Sequence, residues 1–402
     1  MVERSGPLKG VKVIELAHIM AGPVCGMMLA DMGADVIKVE KYPGGDDSRR
    51  FLPPEIDGES AAFMMMNRNK RGIAVNLKEK SGQKLVRRML ESADVVIENY
   101  RAGTMERLGL GYDRLHEINP GLIYCEISGF GRTGPYKDRG GFDLIAQGMS
   151  GLMSITGEGG DHPLVKVGAP VTDITGGILG ALGVLAAYTH RLKTGQGQRV
   201  DTSLFEAGIV HTYWQSAIAF ATGTAPGPMG SAHPLNAPYQ AFEASDGWLT
   251  VGAANQANWI RMLEAMDRMD LAVDPRFQDN PARMKNLDAL SAVLGGEIAK
   301  RSRAEWLSLF EAAGVPAGPV LDIQEMHRDP HAIARDMVPA SEHTRLGAVK
   351  TIGCPIKFSE TPSGVVHGAP VYGEHTKEVL AEYGYGEADI GALINECAVA
   401  AE

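Results

Sequence analysis

Among the acidic residues of this 402-residue chain, Asp173 has the setting best suited to covalent chemistry. It heads the run Ile174 to Leu192, which is apolar almost all round and carries Gly176, Gly177, Gly180, Ala181 and Gly183. A carboxylate there has two readings. As an N-cap it accepts hydrogen bonds from the first free N–H groups of a helix. As a nucleophile it must stay charged on a floor of small residues that lets a substrate approach. The two are compatible, because the positive end of a helix favours the ionised acid. Backbone N–H groups near Gly176 and Gly177, or in the Ala21-Gly22 turn, are candidate donors to an oxyanion.

Other reactive types are sparser. His18 in AHIMAGP and His233 in GSAHP are candidates for contact with a substrate; His18 reads equally well as a loop histidine, and His233, alone in a linker, reads more readily as one. Cys25, Cys125, Cys354 and Cys397 lack CxxC spacing, so neither a metal site nor a disulfide framework is expected, and a reducing cytoplasm fits. The net charge of −10 argues against nucleic acid and anionic membrane as partners. Any anionic ligand then needs a local basic cluster. One exists in the first third of the chain, including Lys41, Arg50, Lys78, Arg101 and Arg107; those that follow strand ends suit phosphate contacts, and the rest read as solvated faces.

The elements that must position these groups alternate in type. Val11 to Leu16 reads as a strand, Val24 to Met32 as a helix and Asp35 to Glu40 as a strand. Gly72 to Leu77, Asp94 to Asn99, Leu122 to Ser128 and Arg199 to Leu204 are further strands, with helices at Gly82 to Ser92, Ile174 to Leu192 and Glu206 to Thr222. Continuous apolar strands between amphipathic helices imply a parallel sheet covered on both faces, with ligands beyond the strands' carboxyl ends. The first turn lacks GxGxxG, so no dinucleotide is inferred. The Ile174 run reads as a buried core helix rather than a membrane span, and MVERSGPLKG lacks the apolar core of a signal peptide. At Gly223 to Pro234 the chain becomes rich in Gly and Pro. A hairpin (Tyr239 to Ala253) and helices follow, then a return to strand and helix. The expected division is a large α/β domain from 1–222, a smaller α+β domain from 223–335, and a segment 336–402 that completes the large one. Trp214, Trp248, Trp259 and Trp306 read as core packing.

The stretches AGPVCGMMLADMGADVIKVE, NRNKRGIAVNLK, ADVVIENYRAGTMERLGLGY, GFGRTGPYKDRGGFD, VTDITGG with HRLKTGQGQRVD, and GEHTKEVL occur in this order. Through them the chain resembles the class III CoA-transferases along essentially its full length. The resemblance implies an intertwined homodimer of linked rings with a Rossmann-like large domain. It makes Asp173 the catalytic aspartate. It places coenzyme A against Ile19, Met20, Lys41, Val75, Asn76, Leu77, Lys78, Asn99, Tyr100, Arg101, Arg107, Gly129 and Phe130. Lys41 stands where relatives often have Arg, keeping the charge without the bidentate fork. Coenzyme A or acyl-CoA enters as a substrate, with no tightly bound cofactor and no metal. Glu374-His375 matches a family fingerprint without a role attached.

The implied reaction carries CoA from an acyl-CoA donor to an acid through an aspartyl anhydride and an aspartyl-CoA thioester. Thioester and anhydride are both activated, so no step is steeply uphill, but water must be kept out. GLGY, YCEISGFGRTGP and GVPAGPV look most like the branch using succinyl-CoA and dicarboxylic acids, whose distal carboxylate needs a cation such as Arg132 or Arg50. Two alternatives share the fold. A 2-methylacyl-CoA racemase needs an acid/base pair, and where such enzymes carry His-Asp this chain has Phe142-Asp143. A non-catalytic CoA-binding homologue would have no reason to retain Asp173 and its glycines.

Overall fold

The computed structural model describes residues 5–401. They group into two compact units, one comprising the chain up to residue 151 with 167–211 and everything from 330, the other 152–166 and 212–329. The single helix expected over Glu206 to Thr222 is two, Leu204–Val210 and Tyr213–Thr222, and the second groups with the smaller unit. Composition registers where the chain becomes loop, whereas packing changes one helix earlier.

In the first unit the chain runs β1 (Lys12–Glu15), α1 (Ala21–Asp31), β2 (Asp35–Lys41), β3 (Arg71–Val75), α2 (Lys80–Leu90), β4 (Val95–Glu98), β5 (Ile123–Ser128), α3 (Asp143–Met149), α4 (Val171–Thr194), β6 (Arg199–Ser203) and α5 (Leu204–Val210). The sheet order is β3-β2-β1-β4-β5-β6, all parallel, with Val399–Ala400 antiparallel on the outer side of β3. Alternate residues serve opposite faces. Val13, Val36, Val95 and Ile123 pack with α1 and α4, while Ile14, Ile37, Ile73 and Val96 pack with α2 and the helix Thr376–Glu382. Burial on both sides is why these strands are largely apolar, with Lys38, Glu40 and Glu126 among the buried charged exceptions. The GEHT fingerprint closes this edge: Gly72 N–H donates to His375 Nδ1 (3.2 Å) and His375 N–H donates to the Gly72 carbonyl (2.9 Å). The strand order reverses between β1 and β4, so the crevice beyond their carboxyl ends is the switch point where such folds bind ligands.

Helix α4 is, by length and composition, apolar enough to cross a bilayer. Its stripe Gly176, Gly177, Gly180, Ala181 and Val184 is nevertheless buried, and a Cβ on Gly177 would come 2.7 Å from the Ala21 carbonyl oxygen of α1. The opposite flank is not covered, Leu182 being 61% exposed. The helix expected to be buried all round is therefore covered on one side only, because hydropathy does not say what covers each face.

The second unit is a three-stranded antiparallel sheet of Tyr239–Ala244, Gly247–Gly252 and Ala317–Pro319 with helices Gln256–Met266, Leu287–Ile298 and Arg303–Ala312. Trp259 and Trp306 are in its core, but Trp214 and Trp248 are exposed, contrary to the core reading of all four.

Candidate active site

The first turn of α4 carries the cavity's acid. Pro170 occupies the N-cap position and supplies no side-chain bond, and Asp173 lies inside the helix as its third residue. The cap bond comes from elsewhere: Asp143 Oδ1 accepts from Thr172 N–H (3.0 Å) and from its hydroxyl (2.7 Å). The N-cap reading of Asp173 is thus corrected, since α3 supplies the acceptor and Asp173 is free of that task. Among the described residues nothing hydrogen-bonds to the Asp173 carboxylate. It is half-buried, and its pKa is pushed up to about 7 by burial and then by the nearby Asp143 carboxylate. The dipole's preference for an ionised acid is outweighed by desolvation.

Asp173 lines a cavity of about 270 Å³. Opposite stands the loop between β1 and α1. Here Ile19, a β-branched residue, adopts φ 67, a conformation that costs about 1–3 kcal/mol unless the surroundings impose it. They do. Ile19 N–H donates to both Asp46 oxygens (3.1 and 3.2 Å), and His18 and Asn99 exchange two bonds (2.9 and 2.8 Å). His18 Nε2 lies 3.1 Å from the Tyr100 hydroxyl, so this side chain is both held in place and part of the cavity wall.

Beneath the loop is a buried charge cluster. Lys38 Nζ meets Glu15 (3.0 Å) and Asp46 (2.8 Å), and Lys70 Nζ meets the other Glu15 oxygen (2.8 Å). Burial alone would lower Lys38, but Glu15, Asp46 and Glu40 outweigh it and hold its pKa well above the ordinary lysine value. Burial would likewise raise Asp46, yet Lys38 and His18 keep it far below the usual carboxylate range. Lys70 is pushed down to about 8, chiefly by burial. Two carboxylates and two ammonium groups balance here, which is the condition for burying them at all.

The first-turn N–H groups of α1, at Ala21 and Gly22, have no intrahelical partners, and Ala21 lines the cavity. They remain candidate oxyanion donors. Gly176 and Gly177 do not: both lie within α4, where their N–H groups belong to the helix ladder, and the two glycines serve close packing. Gly129 also serves an approach of backbones, since a Cβ there would fall 2.7 Å from Gly141.

Of the residues singled out in the sequence, His18, Ile19, Met20, Asn99, Tyr100, Arg101, Gly129, Arg132 and Asp173 line this one cavity. Val75 ends β3 and Asn76, Leu77 and Lys78 follow it on the same carboxyl edge, with Val75 fully buried and Lys78 exposed. Lys41 ends β2, where it and Arg50 both pair with Asp47. Arg107 is exposed with its guanidinium on the Thr104 hydroxyl (2.9 Å), and Phe130 packs between Tyr136 and Phe205. His233 belongs to the second unit, against Trp214 and Tyr239.

Arg132 is already committed, to Glu98 (2.5 Å) and Glu126 (3.0 Å), and Glu98 is pushed up to about 8 by burial, against Arg132 and with Glu126 adding to the rise. A guanidinium so engaged is poorly placed to receive a substrate carboxylate. Sequence reasoning missed Lys137 and Arg139, which line the cavity from the loop before α3. Their signal was GPYKDRGG, a charged loop following a strand end.

A family model described as CoA-transferase family III matches residues 8–376. The chain is 41% identical to the succinate–glutarate CoA-transferase of Agrobacterium fabrum, over 95% of this chain and 97% of that protein. It is 40% identical to the succinyl-CoA:mesaconate CoA-transferase of Haloarcula hispanica, over 95% and 97%. The crystal structure of a CAIB/BAIF family protein from Brucella suis matches with a TM-score of 0.84 and 38% identity, covering 94% of this chain and all of that one.

Proposed function

The chain belongs to CoA-transferase family III and is a CoA-transferase, and from that premise we propose that it moves CoA from succinyl-CoA to a dicarboxylic acid with Asp173 as the nucleophile. The observation that carries the reading is a half-buried carboxylate without a protein partner among the described residues, lining the cavity at the switch point of the sheet. A raised pKa makes the ionised form a stronger nucleophile than an ordinary aspartate.

Asp173 attacks the thioester carbonyl and expels the CoA thiolate, giving a mixed anhydride. The thiolate then attacks the aspartyl carbonyl and releases the donor acid. The acceptor carboxylate attacks the aspartyl thioester and expels the CoA thiolate, giving a second mixed anhydride, and the thiolate then attacks the acceptor's acyl carbon, forming the new acyl-CoA and releasing the Asp173 carboxylate. The N–H groups of Ala21 and Gly22 suit the oxyanions that form in each step. Coenzyme A lies along the carboxyl edge, from Ile19 and Met20 past Asn99 to Arg101 and on toward Lys41 and Lys78. For the acceptor's distal carboxylate the better cations are Arg101 and Lys137, which line the cavity and make no ion pair among the described residues. The racemase alternative finds no support: Phe142 lines the cavity but has no proton to move, and Asp143 is engaged by Thr172.

The working form is an interlocked homodimer in a reducing cytoplasm. The uncovered flank of α4 and exposed Phe142, Leu144 and Ile145 support a partner, and the four unpaired cysteines support the compartment. Succinyl-CoA assayed against a panel of mono- and dicarboxylates should give transfer to dicarboxylates. Failure with every dicarboxylate overturns the substrate assignment. Mass spectrometry of protein quenched during turnover should find an acyl or CoA adduct on the peptide containing Asp173; an unmodified peptide under adduct-preserving conditions sinks the covalent route.

A further inference from the structure

Two side chains one turn apart on α3 strap the segment that leads into the nucleophile's helix. Asp143 holds Thr172 through its N–H and hydroxyl. Gln147, fully buried, donates to the other Asp143 oxygen (2.7 Å) and accepts from Val167 N–H (2.9 Å). Both oxygens of Asp143 are therefore used as acceptors, the pattern of a carboxylate, and it stands near a second carboxylate, Asp173, whose own oxygens have no partner among the described residues. A helix cap needs only an acceptor, which serine or asparagine supplies without charge. The charge therefore calls for its own account.

We propose that Asp143 is a positioning residue with two effects: it caps α4 from outside, and its charge favours the uncharged covalent forms of Asp173 over the resting carboxylate. The proposal rests on the reading of Asp173 as nucleophile. In the first step an Asp173 oxygen forms a bond to the acyl carbon, the C–S bond breaks and its electron pair leaves on the CoA sulfur. In the second the sulfur bonds to the Asp173 carbonyl carbon, the anhydride C–O bond breaks and the donor acid leaves as a carboxylate. In both covalent states the negative charge has left position 173. Repulsion from Asp143 is thus present in the resting enzyme and relieved on acylation, which lowers the barrier to a step that is nearly balanced in energy. The upward shift of Asp173, to which Asp143 contributes after burial, agrees with this.

Other charged groups face the same space. His18 and Tyr100 line the cavity from β1 and β4, and Arg101, Arg132, Lys137 and Arg139 add positive charge at its wall. From α5, Glu206 bonds Ser203, and His211, just past the end of that helix, bonds Thr175. Beneath α4 lie the thiols of Cys25 on α1 and Cys125 on β5. Of all these, Asp143 alone combines negative charge with a direct bond to the residue preceding Asp173.

Asp143→Asn retains an acceptor for Thr172 and removes the charge, whereas Thr172→Val removes the hydroxyl's bond to Asp143 and keeps both the N–H cap and the charge. The pH profile of kcat/KM reports the free enzyme's essential groups. The wild-type profile should show an acid limb near pH 7. In Asp143→Asn that limb should move down by about half a pH unit or more, with a plateau about three- to tenfold lower and less trapped adduct at Asp173. In Thr172→Val the limb should stay where it is. An unmoved limb in folded Asp143→Asn overturns the proposal, as does an equal displacement in both variants. Should Asp143→Asn not fold, Asp143→Ser applies the same criterion. A wild-type enzyme that forms no adduct at Asp173 refutes the nucleophile reading itself, a result distinct from a normal adduct with an unmoved limb.

Discussion

At the scale of single residues the proposed nucleophile is defined by its surroundings. Asp173 is half-buried, without a hydrogen-bond or ion-pair partner among the described residues, and near another carboxylate, so its ionisation in the folded chain opposes stability. Its folded pKa of about 7 lies above the ordinary aspartate value of 3.8. Below the lower value both states are protonated and nothing is lost; as pH rises through the window to about 7 the folded state holds its proton while the unfolded chain has released it, and stability falls. Asp173→Asn should therefore abolish transfer while making the protein more stable at pH 8, by about 1–2 kcal/mol once solvent screening is allowed for, with a smaller gain at pH 5. Thermal unfolding at the two pH values tests this, and equal gains at both would show that the carboxylate is not strained. Asp173 was legible in the sequence as the acid heading a glycine-rich apolar run. Its freedom from capping was not, because the cap partner lies 29 residues away and local patterns cannot register a bond between separate helices.

At the scale of elements the proposed site depends on how closely α4 approaches α1, since one brings Asp173 and the other the candidate oxyanion donors at Ala21 and Gly22. Glycines set that distance. Gly177→Ala would gain about 1 kcal/mol of helix propensity, yet its Cβ would meet a carbonyl oxygen at 2.7 Å and Val24 at 2.7 Å, neither of which can swing aside. Overpacking of this kind costs about 1–3 kcal/mol. Gly177→Ala should therefore be less stable than wild type by about 1 kcal/mol and lose at least tenfold in kcat as the helices part. At Gly176 the new Cβ meets the end of the Leu204 side chain at 3.1 Å, which can move, so Gly176→Ala should be near neutral in both. Denaturant midpoints and kcat for the pair decide the matter: similar losses would mean that helix packing does not set the site. The strands were readable because burial on both faces leaves apolar runs such as Val95 to Ile97 recognisable. The strained Ile19 and its clamp by Asp46 were not, because they depend on a charge cluster drawn from β1, β2 and the segments that follow them.

At the scale of the whole molecule, one chain leaves apolar surface that a folded protein does not keep in water without reason. Leu182 lies on the uncovered flank of the same helix that carries Asp173, and in the second unit Phe220 is 90% exposed. If two chains close as linked rings, they cannot separate while folded, so a native monomer has no route to form. The protein should then keep a two-chain mass by light scattering or ultracentrifugation when diluted to nanomolar concentration, where a partner merely docked with micromolar affinity would be lost. Leu182→Glu places a charge on the uncovered flank. In linked rings it should yield unfolded or aggregated chain and no activity, because the interface must form as the chains fold together. A soluble, folded, single-chain Leu182→Glu protein would rule out the interlocked arrangement and leave an ordinary dimer, while a wild type of one-chain mass would mean that this surface awaits some other partner.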